Sequence, residues 1–88
     1  MLVIPFTLNR PRAAPVPADG TVTAALRAAA LLHEGPEHLR VHESRAGARG
    51  VLFAIAPSMD AARALCLAVC ARAIAETPEM TGWLVDVL

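Results

Sequence analysis

Between Gly50 and Glu76 a short apolar run, Val51-Leu52-Phe53-Ala54-Ile55-Ala56, meets a Pro57-Ser58 break and then a long alanine-rich run. The first run is β-branched or aromatic at alternate positions, Val51, Phe53 and Ile55, and is bounded by Gly50 and Pro57, which predicts a buried strand over 51–56. The second carries helix-start chemistry. The Ser58 hydroxyl can accept from first-turn amides, and Asp60 stands near the positive end of the helix dipole. Pro78 blocks continuation beyond Thr77. A strand feeding directly into a helix is the spine against which the other segments must pack.

Upstream, residues 2–8 alternate Leu2, Ile4, Phe6 and Leu8 with Val3, Pro5 and Thr7, the period of a half-buried strand. Pro5 has no amide to donate, so it must lie at a bulge or beyond the end of a neighbouring strand. The proline-rich stretch 9–20 is longer than most loops inside compact domains and reads as an extended tether with solvated arginines. Val22, Ala25, Leu26, Ala29, Leu32 and His33 share one stripe of a 3.6-residue repeat over 21–34, a helix with Asp19 or Thr21 as its cap and Gly35-Pro36 as its stop. Over 37–45, Leu39 and Val41 alternate with His38, Arg40, His42 and Ser44, as in a strand with one wet face. Arg45 to Gly50 supplies glycines for a reversal into the 51–56 strand, and Trp83 to Leu88 forms a last strand.

The order βαββαβ makes 1–88 a single α+β domain. It implies the ferredoxin-like split βαβ arrangement, a four-stranded antiparallel sheet with two helices on one face and the other face bare. Right-handed crossovers put the first and third strands in the centre and the 37–45 and 83–88 strands at the edges.

Bulk properties narrow the function. A chain of 88 residues buries only about 60–65% of its unfolded surface on folding, yet 56% of its residues are hydrophobic and its mean hydropathy is +0.49. Such a balance points to apolar surface that a partner covers. The formal charge is zero, with neither half carrying a run of like charge, which argues against binding to nucleic acid or anionic lipid. No apolar run approaches the length of a membrane span, and the start has no basic residue ahead of its short apolar run, so the expected location is the cytoplasm. All eight basic residues are arginine, and alanine is the commonest residue, a composition that suggests a GC-rich bacterial genome.

Candidate chemistry is sparse. Arg49-Gly50-Val51-Leu52-Phe53 resembles the third-strand stretch of an RNA-recognition motif, but only Phe53 supplies a stacking ring, since Val51 and Ala56 hold the other aromatic positions. Cys66 and Cys70 lie on one side of the second helix, where they read as small buried hydrophobes, because no further ligand pair accompanies them. His38, Arg40 and His42, with Glu43 nearby and Asp86 on the opposite edge strand, could form a ligand or acid–base site, although polar residues also protect an edge strand from aggregation. Met59 and Met80 read as gap fillers. The sequence thus assigns no catalytic, cofactor-binding or metal-ligating residue.

The second helix is apolar on both sides. Ala62, Leu65, Cys66, Val69 and Ala73 make its core stripe, while Ala64, Leu67, Ala71 and Ile74 lie opposite and form a candidate interface. The expected function is a protein–protein interaction or oligomerisation module, homo-oligomeric or bound to a protein partner. Its alternative is a small-molecule-binding regulatory domain or small dimeric enzyme with a site on the open sheet face. RNA binding comes last.

Overall fold

The computed structural model describes residues 1–88 as β1 (Leu2–Asn9), α1 (Thr21–Ala30), β2 (Pro36–Ser44), β3 (Gly47–Ala54), α2 (Met59–Glu76), a short 3-10 turn (Pro78–Met80) and β4 (Leu84–Val87). The four strands form one sheet in the order β2-β3-β1-β4, every pair antiparallel. This is the ferredoxin-like split βαβ fold, with β1 and β3 central. No helix is long and apolar enough to cross a membrane.

The core follows from strand alternation. Ile4, Phe6 and Leu8 of β1 and Ala48, Leu52 and Ala54 of β3 point to the helices, where they meet Val22, Leu26 and Ala29 of α1 and Ala62, Cys66, Val69, Cys70 and Ala73 of α2. Met80 and Trp83 close one end; Trp83 is buried just ahead of β4 rather than within it. Pro5 sits in a central strand without a bulge. Its carbonyl accepts from Leu88 N–H at 3.0 Å, and since both backbone groups of a strand residue point to the same side, its missing amide falls at the end of the short β4 ladder.

Several boundaries differ from the sequence expectation. The third strand begins at Gly47, not Val51, and ends at Ala54, so the reversal shrinks to Arg45-Ala46. Its first inward-facing residues are Ala48 and Gly50, too small to give a hydrophobic signal. Gly47 has φ +140°, and a methyl there would overlap the Leu8 carbonyl; a methyl at Gly50 would overlap the Arg40 carbonyl and the Phe6 ring. Glycine is thus what lets the hairpin turn tightly and Phe6 lie against the sheet.

The first helix stops at Ala30, not Glu34. Beyond it the chain tightens into turns in which Leu32 N–H bonds Ala29 O at 3.1 Å and His33 N–H bonds Ala30 O at 3.2 Å. The His33 ring, read above as part of the apolar stripe, instead meets the Ala29 carbonyl through Nδ1 at 2.9 Å, a second partner for an oxygen that already takes the Leu32 N–H. Leu32 is exposed. Neither Asp19 nor Thr21 caps the N-terminus: the capping position is Gly20, without a side-chain bond, and Glu43 of β2 does the work from across the fold. Its carboxylate accepts from Gly20 N–H at 3.3 Å, Thr23 N–H at 3.0 Å and the Thr23 hydroxyl at 2.6 Å. The second helix starts as expected, with the Ser58 hydroxyl accepting from Ala61 N–H at 3.1 Å.

The 9–20 segment is tied down by Arg10. Its guanidinium donates to the carbonyls of Arg45 at 2.6 Å, Pro11 at 3.2 Å, Arg12 at 3.4 Å and Ala14, while its own N–H bonds Ala46 O at 2.8 Å. An arginine read as solvated is the bolt between the loop and the hairpin tip.

Candidate functional site

The face of the sheet away from the helices is bare, and strand register orders its side chains into rows that run from β2 towards β4. One row is His42, Arg49, Thr7, Asp86; the next is Arg40, Val51, Pro5, with Leu88 bonded to the Pro5 carbonyl at its end; a third is His38, Phe53, Val3. On the far side of the first row lie Ser44, Gly47, Asn9 and Leu84. These residues share one face because directly paired positions point the same way.

The face is apolar in the middle and positive on the β2 side. Val51 and Phe53 are half-buried, Val3 is 48% exposed, and Leu84 and Leu88 are 71% and 67% exposed. The His38 ring lies tilted on Phe53 with centroids 5.5 Å apart. Arg40 and Arg49 make no ion pair: the chain's two, Arg63–Asp60 at 3.5 Å and Arg72–Glu76 at 3.3 Å, both lie on α2. Around Arg40, His42 and Arg49 the surface dips into a hollow of about 390 Å³, which Pro5, Thr7, Val51 and Leu88 also line.

Of the ligand-site residues read from the sequence, His38, Arg40 and His42 share this face. Asp86 shares the His42 row but stands three strand spacings away, about 14 Å, and takes the Asn9 side-chain N–H at 3.3 Å. Glu43, imagined beside His42, points to the helix side. Burial raises its carboxyl, but the bonds from the Thr23 hydroxyl and from the amides of Thr23 and Gly20 outweigh that and hold it below the ordinary carboxylate value. It is a cap and not an acid–base partner of the histidines. Arg49 falls in the reversal on the sequence reading, and only its register with His42 and Thr7 puts it on this face.

The other candidates contribute less. On the outer side of α2, Ala64 and Ala71 are exposed, Leu67 is 47% exposed, and Ile74 is half-buried against the core, so this face offers one large free side chain. At the end of the molecule where α1 stops and α2 starts, Leu31, Leu32, Ile55 and Met59 are exposed. Cys66 and Cys70 are free and buried; the Cys70 thiol is pushed well above its ordinary value by donating to Cys66 and by burial, which leaves it an unreactive core group. No three His, Cys, Asp or Glu side chains gather closely enough to hold a metal ion.

Comparison with protein-family models, with curated proteins and with solved structures finds no match to this chain.

Proposed function

We propose that the protein is a small self-associating interaction module with no catalytic centre of its own, and that it binds a second copy through the bare sheet face. The observation that supports this reading is the order of charge along one row, His42, Arg49, Thr7, Asp86. Sheets stack face to face with their strands within about 30° of alignment, and an isologous contact needs a two-fold axis between them. With that axis parallel to the strands, each row meets its own reverse. His42 then lies over Asp86 of the second copy, Arg49 over Thr7, Arg40 over Leu88 and Val51 over Pro5. With the axis across the strands, β2 covers β2 and cations meet cations. Charge therefore selects the first arrangement, and the apolar centre of the face supplies the attraction.

The size of the face sets the strength. Four strands, paired over up to eight positions, span about 26 by 19 Å, so a dimer buries about 1,000 Å² in total, the lower end for a specific contact. The dimer is accordingly weak and salt-sensitive. Sedimentation equilibrium over a concentration series tests it. Asp86→Arg should weaken association, and the double variant His42→Asp, Asp86→Arg should restore it by exchanging the signs across the contact. A protein monomeric at every concentration overturns the reading; a double variant as weak as the single one overturns the orientation.

A further inference from the structure

We infer that the hollow on the sheet face binds a small organic anion, a carboxylate carried on an apolar body, which the Arg40 and Arg49 guanidinium groups clamp. The inference rests on the reading of this face as the binding face and names a ligand for it.

Its volume, about 390 Å³, lies within the range of small-molecule sites. Arg40 is directly opposite Val51, and Arg49 is two residues before Val51 on the same face, so the two arginines are diagonal neighbours about 7 Å apart along the backbone. His42 is directly opposite Arg49. Like charges in these positions repel, and no side chain of the chain pairs with either arginine. A single carboxylate between them removes the repulsion and satisfies forked donors that suit its geometry. Thr7, directly opposite Arg49 on the other side, brings a hydroxyl to the same place.

The remaining lining is apolar, with Pro5, Val51 and Leu88 joined by Phe6, Val41 and Gly50. A bare inorganic anion would leave it wet, whereas an acid with a hydrocarbon or aromatic body covers it, which fixes the ligand class. Covering the face with a second copy sharpens the need for counter-charge. Asp86 is the only acid on it, against the two arginines, and cations taken out of water without a partner oppose association.

The test uses octanoate as probe on the full chain, with inorganic phosphate and octanol as the two half-ligands. Binding is followed by NMR shifts of the Thr7, Arg49 and Val51 amides, and assembly by sedimentation in the same buffers. Octanoate should bind roughly tenfold or more tighter than either half-ligand, and Arg40→Gln or Arg49→Gln should each weaken it by a similar factor with the circular dichroism spectrum unchanged. Octanoate binding no tighter than phosphate or octanol, or indifferent to both arginines, overturns the inference. If the chain dimerises and octanoate does not bind, the anion site falls and the interaction reading stands. If octanoate binds to a protein that stays monomeric, the interaction reading falls and the site stands.

Discussion

The Glu43 carboxylate accepts the Thr23 hydroxyl at 2.6 Å and the Thr23 N–H at 3.0 Å, so a residue of the edge strand β2 caps the helix α1, twenty positions earlier in the chain. The contact joins the outermost strand to the helix that covers the sheet, and places negative charge at the positive end of the helix dipole.

Removing this cap should cost stability in a pH-dependent way. Glu43→Ala loses about 1 kcal/mol, the usual cost of a lost N-terminal cap, which lowers the melting temperature of a domain this size by about 4–8 °C. The carboxyl is held below its ordinary value in the fold. A group of that kind stabilises above its unfolded value, and its contribution disappears as pH falls through the folded one. Melting temperatures of the wild type and Glu43→Ala should therefore differ at neutral pH and draw together as pH falls below the ordinary carboxylate range. A constant difference down to strongly acid pH would show that the carboxylate charge is not what matters.

Gly50→Ala should be among the most damaging single-methyl changes. The added carbon overlaps the Arg40 carbonyl on one side and the Phe6 ring on the other, and overpacking of this kind costs about 1–3 kcal/mol. Shortening the ring with Phe6→Leu relieves one overlap and leaves the other, so the double variant should recover part of the loss beyond additivity. Denaturant unfolding of the four proteins measures that coupling.

The same glycine explains what was legible in the sequence. Ile4, Phe6 and Leu8, or Leu39 and Val41, announce their strands by large alternating side chains, and the order βαββαβ with its central pair follows from them. Along β3 the inward residues after Gly47 are Ala48 and Gly50, whose fit depends on the Phe6 ring of another strand, so no local pattern reveals that Arg49 faces outward. The Glu43 cap and the Arg10 bonds to Arg45 were hidden for the same reason: each joins segments far apart in the chain and needs the register first. On sequence alone the outer face of α2 is a candidate interface because Leu67 and Ile74 share a helical side. The structure packs Ile74 against the core and leaves Leu67 among exposed alanines.

Arg10 should control access to the loop it holds. Its guanidinium bonds four backbone carbonyls, and charge-assisted bonds of this sort contribute about 1.5–3 kcal/mol each when buried and less at a surface. Arg10→Ala should speed trypsin cleavage after Arg12 several-fold, while Arg10→Lys, unable to bridge the same set, should fall between. Mass spectrometry of timed digests reads the cut. Equal rates in all three proteins would mean the loop's own prolines hold it.

Leu67 and Ile74 separate the two surfaces proposed for assembly. Leu67→Glu adds charge at a site already 47% exposed, so stability should change by less than about 0.5 kcal/mol. Ile74→Glu pushes a carboxylate against the core and should cost about 1–3 kcal/mol. With the sheet face as the interface, Leu67→Glu sediments like the wild type, whereas Val51→Lys, which adds a third cation beside Arg40 and Arg49, lowers the association constant. The opposite result, assembly lost in a folded Leu67→Glu protein and kept in Val51→Lys, would move the interface to the outer face of α2. It would also leave the arginines of the sheet face without a second copy above them, so that any anion bound there would have to be held by one protomer alone.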